Sequence, residues 1–225
     1  MRQSALECAQ IRTSHFTERT TLRHQLGQPK FLPIEELLQL VTEPNREPSL
    51  TLLKKHEAIM RAFARPPGQP WAGGLYDHIR QSMNMASYHF DCQFFLRPIA
   101  SITRSDALLV VFLHEFNNIW CFQYKEGDFH FIPEMEDAAI RRKVRDWMFG
   151  ENRLALTRKH LDALNYIESN GRDGLTDEND LGTLAFAEFC RYAVITSSII
   201  CAGYPSYQDP WKTAVMSNGN HKSSR

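Results

Sequence analysis

Seven consecutive apolar residues, Ala107-Leu108-Leu109-Val110-Val111-Phe112-Leu113, run straight into His114-Glu115. The run is far short of the ~18 residues of a membrane span. At helical periodicity it is apolar nearly all round, which predicts the most buried helix of the fold, capped by Ser105 or Asp106. A helix of that kind needs other helices around it. It also carries an imidazole and a carboxylate into the interior at its end, where unpartnered polar groups are costly. A bound metal ion or a network of ion pairs would each satisfy them.

The surrounding chain supplies the helices. Ile34 to Val41 reads as a short amphipathic helix with Pro33 near its first turn, ended by Pro44 and Pro48. Ser49 is the expected N-cap of a helix from Leu50 to Ala64, with Leu52, Leu53, Ile59, Met60 and Phe63 on one stripe. Pro66-Pro67-Gly68-Gln69-Pro70 is a hard stop. Trp71-Ala72-Gly73-Gly74-Leu75-Tyr76 leads into a helix over Asp77–Phe95, closed by Pro98. Alternating aromatics around Lys125-Glu126-Gly127, from Trp120 to Ile132, predict a small β-hairpin. Further helices are expected over Asp137–Phe149, from a Thr157 cap through Ile167 to Asn170-Gly171, and over Leu181–Cys201. The predicted fold class is all-α with one small hairpin. It comprises an N-terminal extension (1–30), a helical domain (31–203) and a C-terminal tail (204–225).

Composition narrows the function classes. Of the 225 residues 43% are apolar, enough for a core, and 26 basic side chains balance 26 acidic ones. That balance argues against a surface built wholly for nucleic acid or anionic membrane, while leaving room for a local basic patch. The five cysteines, Cys8, Cys92, Cys121, Cys190 and Cys201, form no CxxC pair and no disulfide framework. Cys121 and Cys190 read as ordinary buried thiols. The first residues, MRQSALECAQIRTSHF, contain no apolar signal-type segment, so a reducing cytoplasm is the expected location. P-loop, GxGxxG and GxSxG motifs are absent from the sequence.

Chemistry concentrates at two of the nine histidines. His56 and His160, alone on polar helix faces, read as surface residues. His78 follows the Gly73-Gly74-Leu75 turn, and His114 closes the apolar run beside Glu115. The segment Gly73-Gly74-Leu75-Tyr76-Asp77-His78, followed 36 positions after its His by Leu113-His114-Glu115, resembles the HD-domain phosphohydrolase superfamily. Bacterial and phage members carry a GGLxxH segment and an apolar run ending in Leu-His-Asp. The Tyr124-Lys125-x-Gly127-Asp128-x-His130 hairpin is also similar to theirs.

The resemblance implies an HD-like helical bundle around one divalent ion (Mn, Fe, Ni, Co, Zn or Mg) and hydrolysis of a phosphate ester in a nucleotide or nucleic acid. Position by position it implies His78, His114, Glu115 and Glu188 as ligands, with Glu115 and Glu188 standing where the family has Asp. The family's frequent Lys three residues after the acid is Asn118 here. Glu115 and Asn118 are the candidate catalytic residues. Arg80, Asn117 and Lys125 are candidate substrate contacts by proximity, with a nucleotide or nucleic-acid end as the expected ligand. A homo-oligomer is compatible with the sequence, and a membrane partner is not expected.

A different class of function remains open at this stage. The two Asp-to-Glu changes and the absent Lys also suit a degenerate HD fold that binds a nucleotide, an RNA or a protein without turnover. Without a metal, the His and Glu side chains would tie core helices together. Arg141, Arg142, Lys143 and Arg145 could line a phosphate groove, but their acidic neighbours favour a solvated helix face. Tyr76, Trp120, Phe122 and Tyr124 could stack on a base, though packing around the hairpin is the simpler reading.

Overall fold

A computed structural model describes residues 32–64, 69–96, 102–126, 128–171, 175 and 180–200. The predicted N-terminal extension, the C-terminal tail and the Pro98 boundary lie outside the described residues. Among those described, the chain is mostly helical with one two-stranded antiparallel sheet, as expected. The order is α1 (Ile34–Leu38), α2 (Arg46–Ala62), α3 (Gly74–Leu96), α4 (Arg104–Leu113), α5 (Phe116–Ile119), β1 (Phe122–Lys125), β2 (Asp128–Phe131), a single 3₁₀ turn (Pro133–Glu136), α6 (Ala138–Glu151), α7 (Arg158–Glu168) and α8 (Leu181–Ile200).

Every residue from Ala107 to Leu113 is buried, so α4 is the central helix the apolar run predicts. It packs against α3, which lies along α8; α8 in turn packs on α7. Deep in that contact the hydroxyls of Ser82 on α3 and Ser197 on α8 satisfy one another at 2.7 Å. The apolar side chains of α1 (Ile34, Leu37 and Leu38) and of α2 (Leu52, Leu53, Ile59 and Met60) join the same core.

Local chemistry sets the helix ends. Thr103, rather than Ser105 or Asp106, caps α4, its Oγ1 accepting from the Asp106 amide at 3.0 Å. Asp137 caps α6 by accepting from the amides of Ala139 and Ile140. Helix α2 begins at Arg46 and takes Pro48 into its first turn, where no amide donor is needed, so Pro48 does not end the preceding segment. Helix α7 stops as Asn170 and Gly171 turn left-handed and the Gly171 amide reaches back to the Tyr166 carbonyl at 2.8 Å. The hairpin pairs Phe122 with Phe131 and Tyr124 with Phe129.

Two histidines expected at the surface are built into the fold. His160 is buried at 4% exposure, where its Nδ1 accepts from the Thr157 amide at 3.1 Å and its Nε2 lies 3.2 Å from Asp106. The His160 and Lys159 partners hold the Asp106 carboxyl well below the usual carboxylate range. His56 accepts from the indole Nε1 of buried Trp120 at 3.2 Å and stands edge-on to Phe116. In neither case could helical spacing reveal the partner, because Asp106 and Trp120 arrive from other elements.

Burial, aided by the charge of Lys55, lowers the His56 pKa from 6.5 to about 4. An unfolded chain takes up a proton near pH 6.5, whereas the folded one stays neutral there until about 4. The contribution of His56 is therefore complete above pH 6.5 and is lost as the pH falls towards 4. Chemical denaturation across this window should show His56→Gln losing less stability on acidification than the wild type; parallel pH profiles would contradict the assignment. A second expectation concerns Arg145, which is 1% exposed and binds Glu168 at 2.5 Å, Asn165 at 2.9 Å and Asp146 at 2.8 Å. Arg145→Ala should cost roughly 3 kcal/mol in urea unfolding, because it strands a largely buried carboxylate; a loss below roughly 0.5 kcal/mol, typical of an exposed pair, would contradict this.

Candidate metal centre

The segment before His78 is shaped by close backbone approach. Gly73 has φ +85°, in the left-handed region, and a Cβ on Gly74 would sit 2.1 Å from the Gln69 carbonyl oxygen. Only glycine fits this crossing. The crossing starts α3 there, with the Gly74 amide donating to the Trp71 carbonyl at 2.8 Å and the Asp77 amide to Gly73 at 2.9 Å. The Trp71 indole donates to Asp77 Oδ2 at 2.7 Å, clamping the first turn. His78, one turn into α3, is delivered to the core with 0% exposure.

His114 arrives from the other side, at the end of α4. The last carbonyls of a helix have no intrahelical donor. Here the His114 ring supplies one, its Nδ1 lying 2.6 Å from the Val111 carbonyl oxygen. A carbonyl can only accept, so Nδ1 carries a hydrogen, which leaves Nε2 as the nitrogen open to a ligand role. That Nε2 lies 2.9 Å from His78 Nε2, and Glu115 Oε1 lies 3.4 Å from each of the two nitrogens. The other oxygen, Glu115 Oε2, accepts from Asn118 Nδ2 at 2.6 Å, which fixes the carboxylate's rotation.

These three donor atoms are close enough together to share one ion. With bonds of about 2.1 Å, neighbouring ligand atoms stand about 3.0 Å apart in an octahedron and about 3.4 Å apart in a tetrahedron. The observed 2.9, 3.4 and 3.4 Å lie close to that range, and 2.9 Å is equally the length of a hydrogen bond between the two imidazoles. The His114 tautomer is also the one a metal ligand requires, with the far nitrogen donating to a backbone carbonyl. His78, His114 and Glu115 are all buried and could together hold a metal ion.

Glu188 is not brought to this group. It lies on α8 with its side chain 48% exposed, its carboxylate accepting from the Tyr166 hydroxyl and pairing with Arg191. Neither Arg80 nor Lys125 borders the cavities described below. Arg80 Nε donates to the Leu32 carbonyl at 3.1 Å, and Lys125 stands exposed on β1 beside Glu126. Asn117 and Asn118 line a cavity together with His114 and Glu115.

His114, Glu115, Asn117 and Asn118 line a cavity of about 790 Å³ whose opposite walls come from α6, α7 and α8. Three guanidinium groups line it with them: Arg141 and Arg142 from α6 and Arg191 from α8. Arg142 is exposed and Arg141 half-buried, and both border this cavity. Arg141 Nη1 is held by the carbonyls of Met135 and Glu136 at 2.9 and 3.0 Å. Arg141 Nε, Arg191 Nε and Asn117 Oδ1 are enclosed without a protein partner. Arg191 carried no signal in the sequence. Of the four aromatics weighed for base stacking, Tyr76 and Trp120 are buried in the core, and Phe122 reappears at a second pocket. The side chain of Tyr124 lies outside the described residues. Cys121 and Cys190 are buried, and burial pushes both thiols up, as expected of unreactive sulfur.

Compared with family models, curated proteins and solved structures, the chain matches none. The centre's own geometry makes a direct prediction. An ion that binds only the folded state stabilises it by mass action, about 2.7 kcal/mol at a hundredfold excess over Kd. Excess Mn²⁺ should raise the melting temperature of EDTA-stripped wild type and leave that of Glu115→Ala unchanged. Equal shifts in the two proteins would remove Glu115 as a ligand.

Proposed function

We propose that the chain is a metal-dependent phosphohydrolase of the HD type, acting on a phosphate ester in a nucleotide or nucleic acid. One observation carries this reading: the cavity bordered by His114 and Glu115 is also bordered by Arg141, Arg142 and Arg191. Forked guanidinium groups match phosphoryl oxygens, so the cavity suits an anionic substrate held against the buried donors. His78, His114 and Glu115 would hold one divalent ion. Two imidazole nitrogens and one carboxylate oxygen suit Mn, Fe, Co, Ni or Zn better than Mg, which prefers oxygen ligands. Such an ion, when bound, supplies a water acidified towards neutrality and a charge that offsets the phosphoryl oxygens.

The chain's own side chains divide the remaining work. Val111 fixes the proton on His114 Nδ1, keeping Nε2 available as a donor of electrons. Asn118 occupies Glu115 Oε2, so Oε1 alone points at the imidazoles. Asn118 is thus a positioning residue. Arg141, with Nη1 anchored to two carbonyls, is held at the cavity wall at little further entropic cost.

Glu188 favours a second reading. With that residue at the surface, the fourth ligand implied by the family resemblance is missing from the group, and a centre of three protein ligands also suits a module that binds without turnover. Phosphate release from nucleoside monophosphates, deoxynucleoside triphosphates and short oligonucleotides, with Mn²⁺, Co²⁺ or Mg²⁺, separates the two. The phosphohydrolase reading expects metal-dependent turnover that falls at least about 100-fold in His114→Ala, since the loss falls on the transition state. Arg142→Ala should chiefly raise KM, by about tenfold, with the smaller effect on kcat. No turnover of any substrate by a metal-loaded wild type would establish the binding module instead.

A further inference from the structure

Glu115, Asn118 and Arg141 line a second pocket as well as the arginine cavity. The second pocket has a volume of about 280 Å³ and opposite chemistry. Its remaining walls are almost entirely apolar, led by Ile59, Phe63, Leu75, Phe122 and Phe131. Phe63 packs against Phe122 with ring centroids 4.5 Å apart, and Phe122 meets Phe131 edge-on at 5.7 Å. Phe131 is nonetheless 45% exposed on a four-residue strand. A large apolar ring at that position contributes little to the core, so its exposed face is available to a ligand.

We infer that the substrate has two unlike parts. Its phosphate faces Arg141, Arg142 and Arg191, and a flat aromatic group on the esterified alcohol occupies the Phe63–Phe122–Phe131 pocket, with Arg141 at the junction. This deepens the phosphohydrolase reading and rests on it for the identity of the anionic group. The pocket's size fits a ring system and not a chain of nucleotides. Its phenylalanine, leucine and isoleucine walls offer shape and stacking, not a pattern of donors and acceptors, so recognition is by flatness. The substrate class is therefore a small aryl or nucleoside phosphate monoester.

Calorimetric binding to the full chain tests this with four probes: inorganic phosphate, ribose 5-phosphate, 1-naphthyl phosphate and adenosine 5′-monophosphate, each in Mn²⁺ and in EDTA. Burial of a ring should give the two aromatic esters at least about tenfold tighter binding than ribose 5-phosphate. Phe131→Ser, at a half-exposed position, should erase that advantage and leave ribose 5-phosphate binding unchanged, with a cooperative melting curve showing that the variant folds; Phe122→Ala should do the same. A stronger gain for the adenosine ester identifies the ring as a nucleobase, and a stronger gain for the naphthyl ester as a simple aryl group, either supporting the pocket's assignment. Equal affinities for ribose 5-phosphate and both aromatic esters would overturn it, as would an advantage that survives in both phenylalanine variants. A protein that binds no metal and releases no phosphate but keeps the ring preference refutes the hydrolase reading and leaves the ring pocket standing. One that turns over ribose 5-phosphate and 1-naphthyl phosphate with equal kcat/KM refutes the ring pocket alone.

Discussion

The hydrogen bond from His114 to the Val111 carbonyl governs the centre. It satisfies a carbonyl that the end of α4 would otherwise leave without a donor, and it settles which nitrogen of the imidazole keeps its hydrogen. With Nδ1 committed, Nε2 faces His78 and Glu115 as an electron-pair donor. The neighbouring bonds follow the same logic. Asn118 occupies one carboxylate oxygen, and the glycine crossing at Gln69 sets where α3 begins and hence where His78 enters the core. Two imidazoles and a carboxylate, which an apolar interior would normally expel, are held there in one orientation by backbone and amide contacts.

Around that centre the fold places charge in one cavity and apolar surface in another. Arg145 lies beneath the arginine cavity, bound to Glu168 and Asn165, which both line it. Burial pushes the Glu168 carboxyl up while the adjacent Arg145 guanidinium pulls it down, and burial is the larger influence. The charged wall is therefore supported from below by a buried ion pair, whose worth lies in specifying α6 against α7 more than in net stability. The hairpin, by contrast, carries Phe122 and Phe131 to a second pocket that Glu115 and Asn118 also line. A rigid interior and two chemically distinct cavities thus meet at the same three residues, Glu115, Asn118 and Arg141.

Much of this was legible in the sequence, and the failures have physical causes. The apolar run, the Thr157 cap, the hairpin and the Asn170-Gly171 stop are local signals, and local geometry honours them. His114 and Glu115 were legible because they are adjacent to the most buried helix, and His78 because two glycines mark a backbone crossing. Glu188 was not placed correctly by pattern, because successive residues of a helix point about 100° apart and docking, not spacing, decides which one faces inward. The same reason left Arg141 and Arg142 between a solvated face and a groove lining, and hid Arg191: a charged face is solvated or lines a cavity according to what packs near it. His56 and His160 looked solvent-facing because Trp120 and Asp106, their partners, come from elsewhere in the chain.

The central claim is that His78, His114 and Glu115 bind one ion. Crystals of the protein grown with Mn²⁺, with diffraction data collected at a wavelength where manganese scatters anomalously, test it most directly. The account predicts one strong anomalous peak about 2.1 Å from His78 Nε2, His114 Nε2 and Glu115 Oε1, with His114 Nδ1 still on the Val111 carbonyl. A map without a peak at that position, with the two imidazoles still in contact and Mn²⁺ present in excess, would contradict it and leave the three side chains as a structural tie between α3 and α4.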